Sequence, residues 1–201
     1  MQEITVGVAP VKALRVNFVG ELGWELHHPL AYQLHLWDKI WEAGQEFDIR
    51  PFGIRAMDSL RIEKSYRYWK TDLSTEYSPL ESGFNRFVHL NKGEFVGREK
   101  LVAQQQKGLP YNFVTIEVEA KDSDPWGNEP LYDASNPKTM VGRTTSGAYG
   151  YTLGKSYAVG YVKPSHAAPG TKLEIIMLGE RYKATVVAES PWDPDNARLR
   201  A

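Results

Sequence analysis

The second half of this chain alternates apolar and polar residues too regularly to be helical. Val114-Thr115-Ile116-Glu117-Val118 does so, as do Thr171-Lys172-Leu173-Glu174-Ile175 and Tyr182-Lys183-Ala184-Thr185-Val186. Tyr157-Ala158-Val159-Gly160-Tyr161-Val162 is a further run of strand-forming residues. Successive side chains of a strand point to opposite faces, so such segments turn one face to a core and one to water. Several short strands between Gly, Pro and Asn turns predict a β-barrel or a sandwich.

The first half has a different period. Lys12 to Leu26 predicts two strands joined at Gly20-Glu21-Leu22-Gly23, with β-branched and aromatic residues on both flanks. Leu30, Leu34, Trp37 and Trp41 then fall at helical spacing beside Ile40, with Pro29 in the first turn and Gly44 as a C-terminal cap. On this pattern Trp37 and Trp41 are core residues of the helix face. A second helix is expected from Gly53 to Lys64, with Ile54, Met57 and Leu60 on its apolar side. Arg98 to Lys107 reads as a polar linking helix. The expectation is an α+β unit over 1–97 and an all-β unit over 98–201.

Composition narrows the function classes. With 201 residues and 42% hydrophobic side chains, the chain can bury a sizeable core. A net charge of -1 gives no global polyanion-binding surface, and aromatic and basic residues do not interleave as on a base-stacking platform. Cysteine is absent, which removes disulfides, thiolate ligands and a thiol nucleophile and suits a reducing compartment. No apolar run reaches membrane-spanning length, and Met1 to Val6 lacks the features of a secretory leader. There is no G-x-G-x-x-G turn, P-loop, H-E-x-x-H or G-x-S-x-G. His27-His28 is the one histidine pair, and neighbours on a strand make poor joint metal ligands, so no metal site is expected. Gly142 to Gly154 is glycine-rich but leads into no helix, so a hairpin is expected there, not a phosphate loop.

Three segments, taken in order, resemble the aminomethyltransferase (glycine-cleavage T-protein) family, and more closely the folate-binding region of dimethylglycine and sarcosine dehydrogenases. Phe18-Val19-Gly20-Glu21-Leu22-Gly23-Trp24-Glu25 is similar to the family's Y-x-G-E-x-G-[FYW]-E. Ala56-Met57-Asp58-Ser59-Leu60-Arg61-Ile62-Glu63-Lys64-Ser65-Tyr66 is similar to A-R-D-S-L-R-L-E-x-G-Y. Val141-Gly142-Arg143-Thr144-Thr145-Ser146-Gly147 is similar to V-G-x-V-T-S-G, and Pro191 to Leu199 closes the match. The resemblance implies the C-terminal part of the folate-binding domain followed by an antiparallel barrel. It implies tetrahydrofolate as cofactor, a small methylated amine as substrate, and one-carbon transfer. FAD would enter only with an N-terminal flavin domain.

By the same resemblance, Glu25 holds the pterin edge, Phe18 stands where the family has a tyrosine near the pterin, and Tyr66 and Arg198 are further ligand contacts. A carboxylate suits a pterin, whose ring N–H and amino group lie side by side and can both donate to it. The competing reading of Glu25 is an exposed strand carboxylate; of Phe18, core packing; of Tyr66, an ordinary half-buried tyrosine; of Arg198, a solvated terminal arginine. Glu21, at the turn, is expected in solvent. Met57 replaces a family arginine that helps hold the folate, and Asp58 and Arg61 read as a cap or ion pair. The family's catalytic aspartate belongs to a segment that would precede Met1, so no catalytic residue is assigned. The expectation is a piece of a larger protein, completed by an N-terminal half or a partner subunit, in the cytoplasm or the mitochondrial matrix of a eukaryote. A non-catalytic interaction module of the same fold, or another folate-dependent demethylase, would also fit these motifs.

Overall fold

The computed structural model describes residues 1–201. Three strands open the chain: β1 (Gln2–Val6), β2 (Ala9–Leu14) and β3 (Glu25–His27). They form an antiparallel sheet in the order β1-β2-β3. The expected pair is therefore two of three strands, and β1 lies outside it. Gly7 makes the β1–β2 turn at φ +59, where a side chain would also collide with the His35 ring. His35 Nε2 accepts the Val8 N–H at 3.2 Å and so caps that turn. The β2–β3 connection runs through the glycine pair, where Asn17 Oδ1 accepts the Gly20 N–H at 2.7 Å. This is an Asx-type turn, and Gly20 sits at φ +77 within it.

Helix α1 (Gln33–Gly44) follows a 3-10 turn at Leu30–Tyr32 whose N-cap is Pro29. Its buried line is not the expected one. Leu36 is buried and, with Tyr32 and Ile40 beside it, packs on Ala9 and Val11. Leu30, Leu34 and Trp37 are exposed, and Trp37 stacks on Trp41 at 5.8 Å between ring centroids instead of entering a core. Two apolar lines run along this helix, and the sheet takes the one that meets the small residue Ala9. Gly44 ends α1 in ordinary helical conformation, and the left-handed residue is Asp48, at φ 55. Gly44 is needed for a different reason: a Cβ there would come within 2.7 Å of Ile49.

Helix α2 (Ile54–Glu63) departs from expectation in part: of its expected apolar side Met57 and Leu60 are half-buried and Ile54 is not. Ile54 is 63% exposed, whereas Ser59, Arg61, Ile62 and Glu63 are buried. By packing, the chain divides into residues 1–57 with 195–201 and residues 58–194, a division that falls inside α2. The C-terminal turn α4 (Ala197–Arg200) belongs to the first of these units.

The second unit continues through turns to α3 (Arg98–Lys107), which has no buried residue, as its polar sequence requires. Six strands then close an antiparallel barrel: β4 (Asn112–Val118), β5 (Pro130–Asp133), β6 (Asn136–Gly150), β7 (Lys155–Val162), β8 (Lys172–Met177) and β9 (Glu180–Val187). Their order is β4-β7-β6-β5-β8-β9, with β9 returning to β4, so the sandwich alternative is set aside. Closure leaves no unpaired edge strand. Ile116, Leu131, Val141, Leu173 and Ile175 fill the interior. Each such side chain contributes about 1.5–3 kcal/mol of burial. Gly142 to Gly154 is the β6–β7 hairpin and its turn.

Candidate functional site

The glycine turn delivers Glu25 to the start of β3, opposite Leu14. Glu25 faces solvent, and its Oε2 lies 3.2 Å from His27 Nε2 on the same strand face. Lys12 stands opposite His27 in the ladder, and Glu3 opposite Lys12 at 3.8 Å between charged atoms. Beside them runs a groove of about 540 Å³ over the sheet, lined by Thr5, Pro10, Lys12, His27 and His28 among others. That volume lies in the usual range of small-molecule sites, about 300–1,000 Å³. Glu25 itself is not among the residues that line the groove.

Phe18 is half-buried in the β2–β3 connection. Arg198, on α4, reaches Glu21 in that connection at 3.7 Å, so Glu21 pairs with a cation and does not stand alone in solvent. Both side chains are largely exposed, and such pairs contribute at most about 1 kcal/mol. Arg15 Nη2 makes long contacts of 3.5 Å to the carbonyls of Leu199 and Ala201 on the same terminal turn. Glu25, Phe18 and Arg198 therefore fall in the first unit. Tyr66 falls in the second, half-buried just beyond α2, where burial pushes its hydroxyl above the ordinary phenol value. Its carbonyl accepts Arg61 Nη1 at 3.2 Å.

The second and third motifs meet in the second unit around a residue that belongs to neither. Asp72 is fully buried. Its Oδ2 accepts Arg61 Nη1 at 3.1 Å and the Tyr68 N–H at 2.7 Å. Its Oδ1 accepts Thr145 Oγ1 at 2.5 Å and Ser146 Oγ at 2.7 Å. Adjacent strand residues ordinarily diverge, but a register shift between Thr144 and Ser146 turns both hydroxyls to one oxygen. Arg61 also holds Asp58, at 3.2 Å. Thr144 binds Glu129, which in turn caps the Trp126 and Gly127 N–H groups. Lys64, fully buried, donates to the carbonyls of Trp192 and Asp193 at 3.2 and 2.6 Å and ties the closing segment to the end of α2. These polar residues are architectural, for a saturated buried network offers no free group to a substrate.

Sequence reasoning passed over Asp72, weighed His27 only as a metal ligand, and quoted Lys64 only as part of a motif. Asp72 stands in Lys70-Thr71-Asp72-Leu73, which has no periodicity, and only contact across the fold reveals it. No group of three His, Asp or Glu side chains is placed to hold a metal ion, and no helix is long and apolar enough to cross a membrane.

An α+β unit joined to a closed six-stranded barrel is the fold of a solved aminomethyltransferase. The glycine cleavage system aminomethyltransferase T of Bartonella henselae superposes with a TM-score of 0.81 over 90% of this chain and 50% of its own, at 22% identity. Residues 1–92 match the GCVT N-terminal domain, and residues 112–193 match the glycine cleavage T-protein C-terminal barrel domain. The chain belongs to the glycine-cleavage T-protein (aminomethyltransferase) family. Among its relatives is the mitochondrial dimethylglycine dehydrogenase of Mus musculus, 39% identical over 95% of this chain and 22% of that protein. Another is the mitochondrial pyruvate dehydrogenase phosphatase regulatory subunit of the same organism, 38% identical over 80% of this chain and 19% of that protein. The chain thus spans about a fifth of these relatives and half of the solved aminomethyltransferase.

Proposed function

We propose that this chain is a tetrahydrofolate-binding module of a dimethylglycine or sarcosine dehydrogenase-like protein, serving one-carbon transfer from a small methylated amine. The observation that carries this reading is Glu25, exposed on an open sheet face and in contact with His27, which lines a groove of ligand size. Tetrahydrofolate would supply the chemistry, its N5 capturing a methylene group. The chain's part is to bind and orient: the Glu25 carboxylate accepts the paired donors of the pterin edge, Phe18 offers a ring face nearby, and Arg198 offers a cation on the terminal turn. Tyr66 remains a ligand candidate by resemblance alone. Met57 brings no charge where the family arginine stands, so the weight of anchoring shifts to Glu25.

Calorimetric titration with folinic acid tests this. Binding is expected, and Glu25→Ala should weaken it at least about 10-fold, since charged hydrogen bonds are worth about 1.5–3 kcal/mol each. No heat and no thermal shift at millimolar ligand overturns the proposal.

The division into 1–97 and 98–201 is retained as the evolutionary one; the extents of the two family matches support it. The exposed line of α1 supports a further inference about partners: additional T-protein polypeptide, from the same chain or a second subunit, covers Leu30, Leu34 and Trp37. The cytoplasm, or the mitochondrial matrix of a eukaryote, is the proposed compartment, in keeping with the absence of cysteine. One observation favours a second reading, a non-catalytic interaction module: the likeness to a protein named as a regulatory subunit. Folate binding without any amine-dependent turnover when the larger assembly is reconstituted would select it.

A further inference from the structure

Glu25 does not stand alone on β3. His27 shares its strand face, two residues on, with Nε2 3.2 Å from Glu25 Oε2. Both side chains are more than half exposed, so neither is locked by packing. The charged and titratable groups around His27 are Lys12, directly opposite on β2, Glu3 beyond it on β1, and His28 next along the chain. His27 also lines the groove beside the carboxylate.

An exposed glutamate samples many rotamers, and a ligand that needs one of them bears the cost of ordering it. We propose that His27 is the positioning residue of Glu25: its Nε2–H donates to Oε2, holds the carboxylate in one orientation, and leaves Oε1 free for the ligand. An ionised carboxylate has about four acceptor sites, so one bond to His27 leaves capacity for the paired donors of a pterin edge. Lys12, already facing Glu3, keeps the strip from being wholly acidic and is placed to meet an anionic part of the same ligand. The inference rests on the reading that Glu25 holds a folate.

The test is titration of folinic acid into the wild-type chain, His27→Phe, His27→Gln, Glu25→Gln and the double variant Glu25→Gln/His27→Phe. His27→Phe should weaken binding about 3- to 10-fold, the lower part of the range of coupling between contacting residues. His27→Gln retains an N–H donor and should restore most of the affinity. In the Glu25→Gln background, His27→Phe should cost nothing further. Unfolding midpoints should stay level across the set, because an exposed pair adds little stability. Wild-type affinity in His27→Phe, failure of His27→Gln to restore it, or an equal loss in the Glu25→Gln background overturns the positioning role and leaves the folate reading standing. Absence of binding by the wild type, or wild-type affinity in Glu25→Gln, sinks the folate reading and the positioning role with it.

Discussion

Asp72 shows how much one unremarked residue can organise. Four donors from three separate segments converge on its two oxygens, and none of its surface reaches solvent. Asp72→Asn keeps the shape but removes the buried counter-charge of the Arg61 guanidinium and leaves it only the partly exposed Asp58. We expect a loss of about 3–5 kcal/mol, as for other broken buried pairs, read from urea unfolding. Thr145→Val removes one neutral donor from the same carboxylate and should cost only about 1–3 kcal/mol. Equal losses would contradict the charge argument. Arg61, Thr145 and Ser146 are visible in the motifs, and of the two readings of Asp58 with Arg61, a cap or an ion pair, the structure has the ion pair. Asp72 was invisible because its side-chain partners lie 11 residues before it and 73 and 74 after it, and only the Tyr68 N–H is near in the chain.

At the scale of elements, most strands were legible, β1 and β5 excepted, and the buried faces of the helices were not. A strand has only two faces, so alternation in β4, β8 and β9 names the inner one. A helix with two apolar lines leaves the choice to its neighbour, and α1 buried Leu36 where Trp37 was expected. On the barrel, Asp133 at the end of β5 accepts Ser135 Oγ and N–H at 2.7 and 2.8 Å and meets His166, beyond β7, at 3.3 Å. The Ser135 bonds first, then His166, hold its carboxyl below the ordinary 3.8, at about 2. A depressed carboxylate stabilises the fold above its unfolded value. That contribution is lost as pH falls from 3.8 through about 2. Ser135→Ala should raise the Asp133 titration midpoint more than His166→Ala does, as followed by its carboxyl-carbon chemical shift. A larger effect from His166→Ala would reverse the assignment of causes.

For the whole molecule, the contrast is between a barrel with a filled interior and a first unit whose buried cluster is Ala9, Val11 and Leu36. Leu34 is 71% exposed, Phe47 78% and Phe52 62%, all in that unit. Large exposed apolar side chains concentrated in one unit are what an interface uses. The isolated chain should bind a hydrophobic dye and self-associate in light scattering, and Leu34→Lys with Trp37→Lys should reduce both. A clean monomer that binds no dye would argue against a covering partner. The family matches and the packing division cut the chain at different places, at about residue 100 and within α2. The buried side chains of α2 and the loops to α3 bind within the second unit, through Asp72, Lys64 and Ser59.

The sequence by itself determined the strand runs of β4, β7, β8 and β9, the strand pair around the glycine turn, the two helical stretches before α3, α3 itself, the family with its antiparallel barrel, and the place of Glu25 after a glycine turn. Each of these follows from local periodicity, turn chemistry or short motifs, which act between residues close in the chain. Tertiary structure alone decided the order in which the barrel strands pair, which faces α1 and α2 bury, that Asp72 gathers two motifs, and that His27 lies against Glu25. Strand order, face selection and buried pairing depend on which surfaces meet across long stretches of chain, and no local pattern encodes that meeting.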